Sequence, residues 1–250
     1  MMDAIKGEEK NHINRATFAA ELAKLPATAE SKAAFKEAYE SIPLSLTGPS
    51  GANALQQLTE TAGTFFDSDL VPWLLDRAKN TKGSGEEKKA LQGVILLTAM
   101  KLARTDQMDD IRAAVKTYGT KLEKDNLILV EKIVKACGDR TQCYLGAIEK
   151  SENQERKTQF GGIKAGYMIA IYGDEKARDD LVGRLDGIEN AAVRYVASRV
   201  IDHLSPKGSD DVADKLEKII AKNKKSGDKN RIQGDSPLKE VMYRLQSRKN

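Results

Sequence analysis

Between Phe160 and Leu204 the chain reads FGGIKAGYMIAIYGDEKARDDLVGRLDGIENAAVRYVASRVIDHL, and this stretch restricts its folding most tightly. Ile163, Gly166, Tyr167, Ala170 and Ile171 recur at steps of three and four, which predicts one buried stripe on a helix. Gly173 stands where a helix C-terminus takes a left-handed residue. Asp174 follows as an N-cap for a second helix carried by Lys176, Ala177, Asp180, Leu181 and Leu185. Glu189, Ala192, Val193, Val196, Ala197, Val200 and Ile201 then open another helix of the first kind. The pattern is an antiparallel helix pair followed by the start of the next pair.

The rest of the chain agrees with an all-helical reading. Aromatics make up 5% and charged residues 31%, and the 6 prolines fall mostly between helical segments. A sandwich or barrel usually carries more aromatic and β-branched runs. From Pro206 to Asn250 there are 12 Lys/Arg against 7 Asp/Glu, so that end carries +5 and the remainder −1. Such a tail suits an anionic partner, but Asp210, Asp211, Asp214 and Glu217 interleave with the bases and break any continuous positive face. No apolar run reaches the length of a membrane span, Val94–Leu97 being the densest. The opening MMDAIKGEEKNHIN has no hydrophobic signal core. Either the protein is cytosolic, or this is a mature or recloned form, and the doubled methionine favours an added start codon.

Taken in order, residues 1–13 read as a polar lead-in and 14–80 as divergent helical pairs. The first helix is expected from Asn14 to Pro26 and the second from an N-cap at Thr28 to Ile42-Pro43. Leu44–Pro49 reads as a loop. A third helix is expected from about Ser50 to Phe66, and a fourth after Asp67 with Pro72 in its first turn, where a missing N–H does no harm. Asn80–Gly85 is a polar joint or a boundary between sub-arrays. Glu86–Arg104 is a long helix apolar enough to be covered on more than one side. Lys224–Gln233 reads as a polar loop, and Asp235-Ser236-Pro237 as the cap of a last helix.

The turns within pairs fall at Thr105, Gly138, Gly173 and Pro206, separated by 33, 35 and 33 residues. Thr28 and Asp67 continue the series at 39 and 38. Helix pairs recurring with this period point to an α-solenoid. Ala192-Val193-Arg194-Tyr195-Val196-Ala197 resembles the V-R-x-x-A core of HEAT-repeat first helices. Ile163-Lys164-Ala165 and Ala170–Ala177 resemble its continuation through a helix end, a Gly-Asp turn and a second helix. The resemblance runs over Phe160–Ile220, more faintly over Glu86–Lys150, and the CGDRTQCYLGAIEK turn looks like a variant in bacterial HEAT-like proteins, some of them exported. The expected fold is therefore all-α: a right-handed α-solenoid of about six antiparallel helix pairs plus a C-terminal helix, with HEAT-like repeats over 86–225 and a capping helix over 234–250. The first two pairs depart from the motif.

Cys137 and Cys143 flank a helix–turn–helix. The pair is either two free buried thiols or a disulfide, since adjoining helix ends approach within the roughly 5.5–6 Å Cα separation that the bond prefers. A disulfide implies a periplasmic or extracellular protein, and free thiols a cytoplasmic one. With only His12 and His203 to add, both distant, no metal site is expected. No nucleophile elbow, P-loop or H-E-x-x-H occurs, so no catalytic residue and no cofactor is expected. His12 is expected in solvent and His203 at a helix end. Trp73, one turn before Asp76 and Arg77, is weighed against the aromatic-plus-Asp grooves of HEAT-like DNA glycosylases and reads better as packing. Asp109-Asp110, Asp179-Asp180 and Asp210-Asp211 suit the positive ends of second helices. In HEAT-like arrays the second helices line the concave face, so Arg112, Lys116, Arg178 and Arg184, with Arg77, are the expected partner contacts. The resemblance implies a non-catalytic scaffold for a protein partner, the alternative being a nucleic-acid-binding, DNA-glycosylase-like protein.

Overall fold

In the computed structural model of the chain, the described residues are 11–23, 27–48, 51–227 and 229–248, with backbone alone for Lys229, Asn230 and Gln233. The helix stop at Pro26, the loop end at Pro49, the helix start at Ser50, most of the lead-in and the last two residues lie outside them. Among the described residues the regular structure is helical, with one isolated bridge between Thr47 and Asn53. None of these helices is long and apolar enough to cross a membrane.

The chain forms two compact units that divide between Leu127 and Ile128. The first contains α1 (His12–Leu22), α2 (Ala29–Ser41), α3 (Ala54–Ala62), α4 (Val71–Asn80), α5 (Gly85–Leu102) and α6 (Met108–Tyr118). Helix α7 (Lys121–Cys137) crosses the division. The second contains α8 (Thr141–Ile148), α9 (Gln159–Tyr172), α10 (Glu175–Arg184), α11 (Ala191–His203), α12 (Asp210–Ser226), α13 (Lys229–Gly234) and α14 (Ser236–Ser247). The joint at Asn80–Gly85 lies inside the first unit, where Gln92 Nε2 donates to Ala78 O across it (2.8 Å).

Local chemistry sets most boundaries. Thr28 caps α2 by accepting from Ser31 N, and the Ser31 hydroxyl accepts from Thr28 N in return, so two exposed donors of the first turn are satisfied. Asp174 caps α10 by accepting from Ala177 N (2.9 Å). Helix α1 begins at His12, two residues before the expected start, because Asn11 accepts from Ile13 N. Helix α3 begins at Ala54, where Asn53 accepts from Gln56 N, and it ends at Ala62 in a 3₁₀ turn closed by Phe66 at φ 50°.

Three expectations fail. Gly173 is extended (φ −88°, ψ 169°), and glycine is required there by space: a Cβ would lie 2.3 Å from Ile169 O. Residues 224–233 are largely helical rather than a loop, with α12 running to Ser226 and α13 following Gly227. Asp235 precedes α14 but makes no capping bond, because its carboxylate is taken elsewhere.

In the first unit α5 packs against α3, α4 and α6, and Leu91, Ile95, Leu96, Ala99, Met100 and Leu102 are buried around its whole girth. Phe35, Tyr39, Phe65 and Trp73 join α2 to α4, with Phe35 and Phe65 edge-to-face at 5.3 Å. In the second unit α9 packs against α8 and α11, and α11 also against α14. Helix α10 packs against α8, α11 and α12, and α12 against α14. Gly166 lets α11 approach α9: a Cβ there would meet Val196 Cγ1 at 2.5 Å.

Lys164, Arg178 and Arg194 are cations buried in this unit. Arg194 (2% exposed) donates from Nη1 to Leu185 O and Ile188 O and from Nη2 to Asp235 Oδ1 (2.7 Å). Asn223 Nδ2 donates to both oxygens of the same carboxylate (3.0 and 2.9 Å), so α11, α12 and α14 share one buried polar knot. Lys164 on α9 is fully buried, and burial pushes its amine well below the usual lysine range.

Breaking the knot from one side leaves a buried charge alone. Asp235→Ala should cost about 3–5 kcal/mol in denaturant unfolding, and the double variant Arg194→Met/Asp235→Leu should recover part of it. Lys164 gives a pH signature. Folded Lys164 resists a proton that the unfolded chain binds, so it lowers stability as pH falls from about 10.4 toward its depressed folded value, with a slope up to about 1.4 kcal/mol per pH unit. Between pH 8 and 10 wild type should gain stability relative to Lys164→Met; a constant difference rejects this.

Candidate functional site

In the first unit, the end of α2 with the loop after it, α3, the last turn of α4 and the middle of α5 enclose a cleft of about 500 Å³. The loop turns away at Ile42 because a residue before proline is pushed out of the helical region, and Ile42 is extended at φ −89°, ψ 127°. Ile42, Pro43, Leu44, Leu55, Leu91 and Ile95 make the apolar wall. Glu40, Arg77, Asn80, Lys82 and His12 supply the polar groups. His12, expected in solvent, is exposed at this edge.

Arg77 is the anchor of the polar side. The chain turns there because Thr81 Oγ1 donates back to Arg77 O (2.7 Å) at the end of α4. Its guanidinium donates from Nη2 to Asp76 (2.5 Å), and Asp76 also accepts from Asn80 Nδ2 (2.7 Å). Nη1 lies 3.5 Å from Glu40 Oε1, beyond ordinary hydrogen-bond length, and Nε is buried without a partner. Glu40 Oε1 instead accepts from Trp73 Nε1 (3.1 Å). Trp73 is therefore both packed against Tyr39 and tied to the cleft by its polar edge. Tyr39 is buried and bonded to Thr59; burial pushes its hydroxyl up to about 12, against the smaller opposing effects of that bond and of Arg77. Tyr39 thus stays neutral and adds no charge to the wall.

The other expected contact residues are dispersed. Arg112 and Lys116 lie together on the exposed face of α6, with Arg112 Nη1 on Asp109 at 2.6 Å. Arg178 is interior (7% exposed), held by Asp179 (2.9 Å) and the Ser205 hydroxyl (3.5 Å), so it braces the second unit and presents little to a partner. Arg184 is one-third exposed and paired to Glu149. His203 ends α11 and is exposed. Sequence reasoning found Arg77 but missed Glu40 and Lys82. Nothing in their local pattern marks them; only the fold brings positions 40, 77 and 82 to one cleft.

Cys137 closes α7 and Cys143 opens α8, with Cα atoms 5.4 Å apart and the sulfurs at bonding distance. Cys137 is 2% exposed and Cys143 half-buried, beside a small cleft that Ile133, Ala136, Ala147 and Lys150 also line. Gly138 makes the turn with φ 60°. Tyr144 Oη donates to Gly138 O (2.7 Å), and Thr141 Oγ1 donates to Tyr172 O (3.2 Å), which fixes the turn against α9. Among the described residues no three His, Cys, Asp or Glu side chains gather as metal ligands.

No protein-family model, no curated protein and no solved structure matches the chain.

A bond closing so short a loop has a limited effect on the unfolded chain. The double variant Cys137→Ala/Cys143→Ala should lose about 2 kcal/mol in denaturant unfolding, and reductant should lower wild-type stability by a similar amount while leaving the variant unchanged.

Proposed function

We propose that the protein is a non-catalytic, HEAT-like helical-repeat scaffold that binds a polypeptide along its second helices. What supports this reading is a set of side-chain links about one repeat apart, which stand beside others at 20, 27, 31 and 41 positions. In the second unit, Gln142–Asp180, Glu149–Arg184, Gln154–Asn190 and Asp186–Lys222 join residues 38, 35, 36 and 36 positions apart. In the first, Lys32–Asp67, Glu40–Trp73 and Ser68–Gln107 join residues 35, 33 and 39 apart. A chain of stacked helix pairs links each residue to its counterpart one repeat later.

On this reading α8, α10 and α12 form the row of second helices in the second unit, and a partner lies across them. The exposed polar rungs Gln142–Asp180 and Asp186–Lys222 give that row its hydrogen-bonding surface. The Cys137–Cys143 bond fits work in an oxidising compartment.

Gly146 on α8 and Gly183 on α10 provide sites for a test, because a side chain added at either meets no neighbouring atom. A photoreactive residue at position 146 or 183 should crosslink a polypeptide in extracts of the native source, and one at Tyr195, exposed on α11, should not. Equal yields from all three positions would remove the docking row. Tight binding to duplex DNA that weakens steeply with salt, without polypeptide crosslinks, would favour the nucleic-acid alternative.

A further inference from the structure

The geometry points to the Arg77 cleft as a binding site for an amphipathic monocarboxylate: a compact apolar group carrying one carboxylate. This goes beyond the scaffold reading and does not depend on it. A volume of about 500 Å³ is that of a small-ligand site, and the combination of a dry wall with a few placed polar groups is what such sites share. Leu55, Leu91 and Ile95 are 6%, 3% and 1% exposed, so the wall is continuous with the core. Of the three formally charged side chains that line the cleft, Arg77 and Lys82 are cationic and Glu40 is anionic. Asp76, outside the lining, pairs with Arg77 and balances the local charge, so an anion would be held by the donors of Arg77 and Lys82 rather than by a net positive field.

Arg77 has the donors such a ligand needs. It spends one hydrogen bond on Asp76, and Nη1 touches Glu40 only at 3.5 Å. A guanidinium takes a carboxylate in preference to a lone ammonium's point contact, and the two resonance-equivalent oxygens fit its planar donors. Glu40 is the internal competitor: the Oε1 that accepts from Trp73 is the oxygen 3.5 Å from Nη1, so a ligand carboxylate has to displace it and loosen the bond from Trp73. The ligand's apolar part would lie against Leu55, Leu91 and Ile95.

Trp73, the single tryptophan, reports directly through its bond to Glu40. The probes are octanoate and its neutral counterpart octanol, followed by Trp73 fluorescence and calorimetry on the whole chain. Octanoate should bind at least about tenfold more tightly than octanol, and Arg77→Met should bring the two within about twofold. Glu40→Gln should strengthen octanoate several-fold by removing the competing carboxylate. If Arg77→Met does not fold, Lys82→Gln should weaken octanoate about threefold and leave octanol unchanged. A tetrapeptide ending in leucine, with a free or an amidated C-terminus, separates the sources of the carboxylate. Free-terminus binding tighter than octanoate assigns the site to a chain end, and binding of octanoate alone assigns it to a small free acid; either upholds the carboxylate site. Equal affinity for octanoate and octanol, no binding of either, or a folded Arg77→Met that keeps the preference overturns it.

Discussion

The helices described here run from six to eighteen residues, and helices of that length are marginal in water on their own. They persist because each lays an apolar stripe on a neighbour. Helix α9 shows the consequence most clearly. It meets α8 on one side and α11 on another, and its residues from Lys164 to Ala170 are all buried. A helix covered on more than one side must be small where it is crossed, which is what Gly166 provides against Val196. The same demand recurs in α5, whose buried residues ring the helix. Stability is thus held in surfaces between helices rather than within them, and removing one helix would expose the stripes of its neighbours.

Polar groups inside such a structure must be matched by partners far away in sequence. Arg194 meets Asp235 forty-one positions later, and Asp235 forgoes the cap of α14 to do so. Arg244 Nη1 reaches Asp202 (3.0 Å), and Arg248 Nη1 donates to the carbonyls of Asp202 and Ser205. Helix α14 is therefore tied to α11 by charge at both its ends. Asp67 plays a comparable role in the first unit: burial acts to raise its carboxyl, but hydrogen bonds from Lys32 and Asp69 N–H and the charges of Lys32 and Lys36 hold it below its usual value.

The two proposed sites have different origins. On the scaffold reading proposed above, the row of second helices would follow from repetition, each pair offering its second helix in the same way. The Arg77 cleft lies at the irregular segment from Ile42 to Thr47 between α2 and α3, which is extended at Ile42, turns where Leu46 N donates to Pro43 O, and leaves a gap that α3, α4 and α5 do not fill. Irregular segments between regular elements commonly carry binding groups for this reason.

Much of the fold was legible because helical order is local. Steps of three and four, Thr28 and Asp174 as caps, Pro72 in a first turn and the evenly spaced turns are properties of neighbouring residues, and the structure places helix boundaries at each of them. The cysteine pair was legible because helix ends joined by a tight turn are close whatever the rest of the chain does. The cap expected at Asp235 and the loop expected at 224–233 failed because a distant arginine and neighbouring helices outweighed local preference. The cleft was hidden for the same reason: Glu40, Arg77 and Lys82 share no period or motif, and their charges meet only after α2, α4 and α5 have packed. What the sequence alone determined is where this chain coils and where it turns. Which cations are sealed inside, as Arg178 and Arg194 are, and which face a cleft, as Arg77 does, depends on partners dozens of residues away, and only tertiary packing decides that.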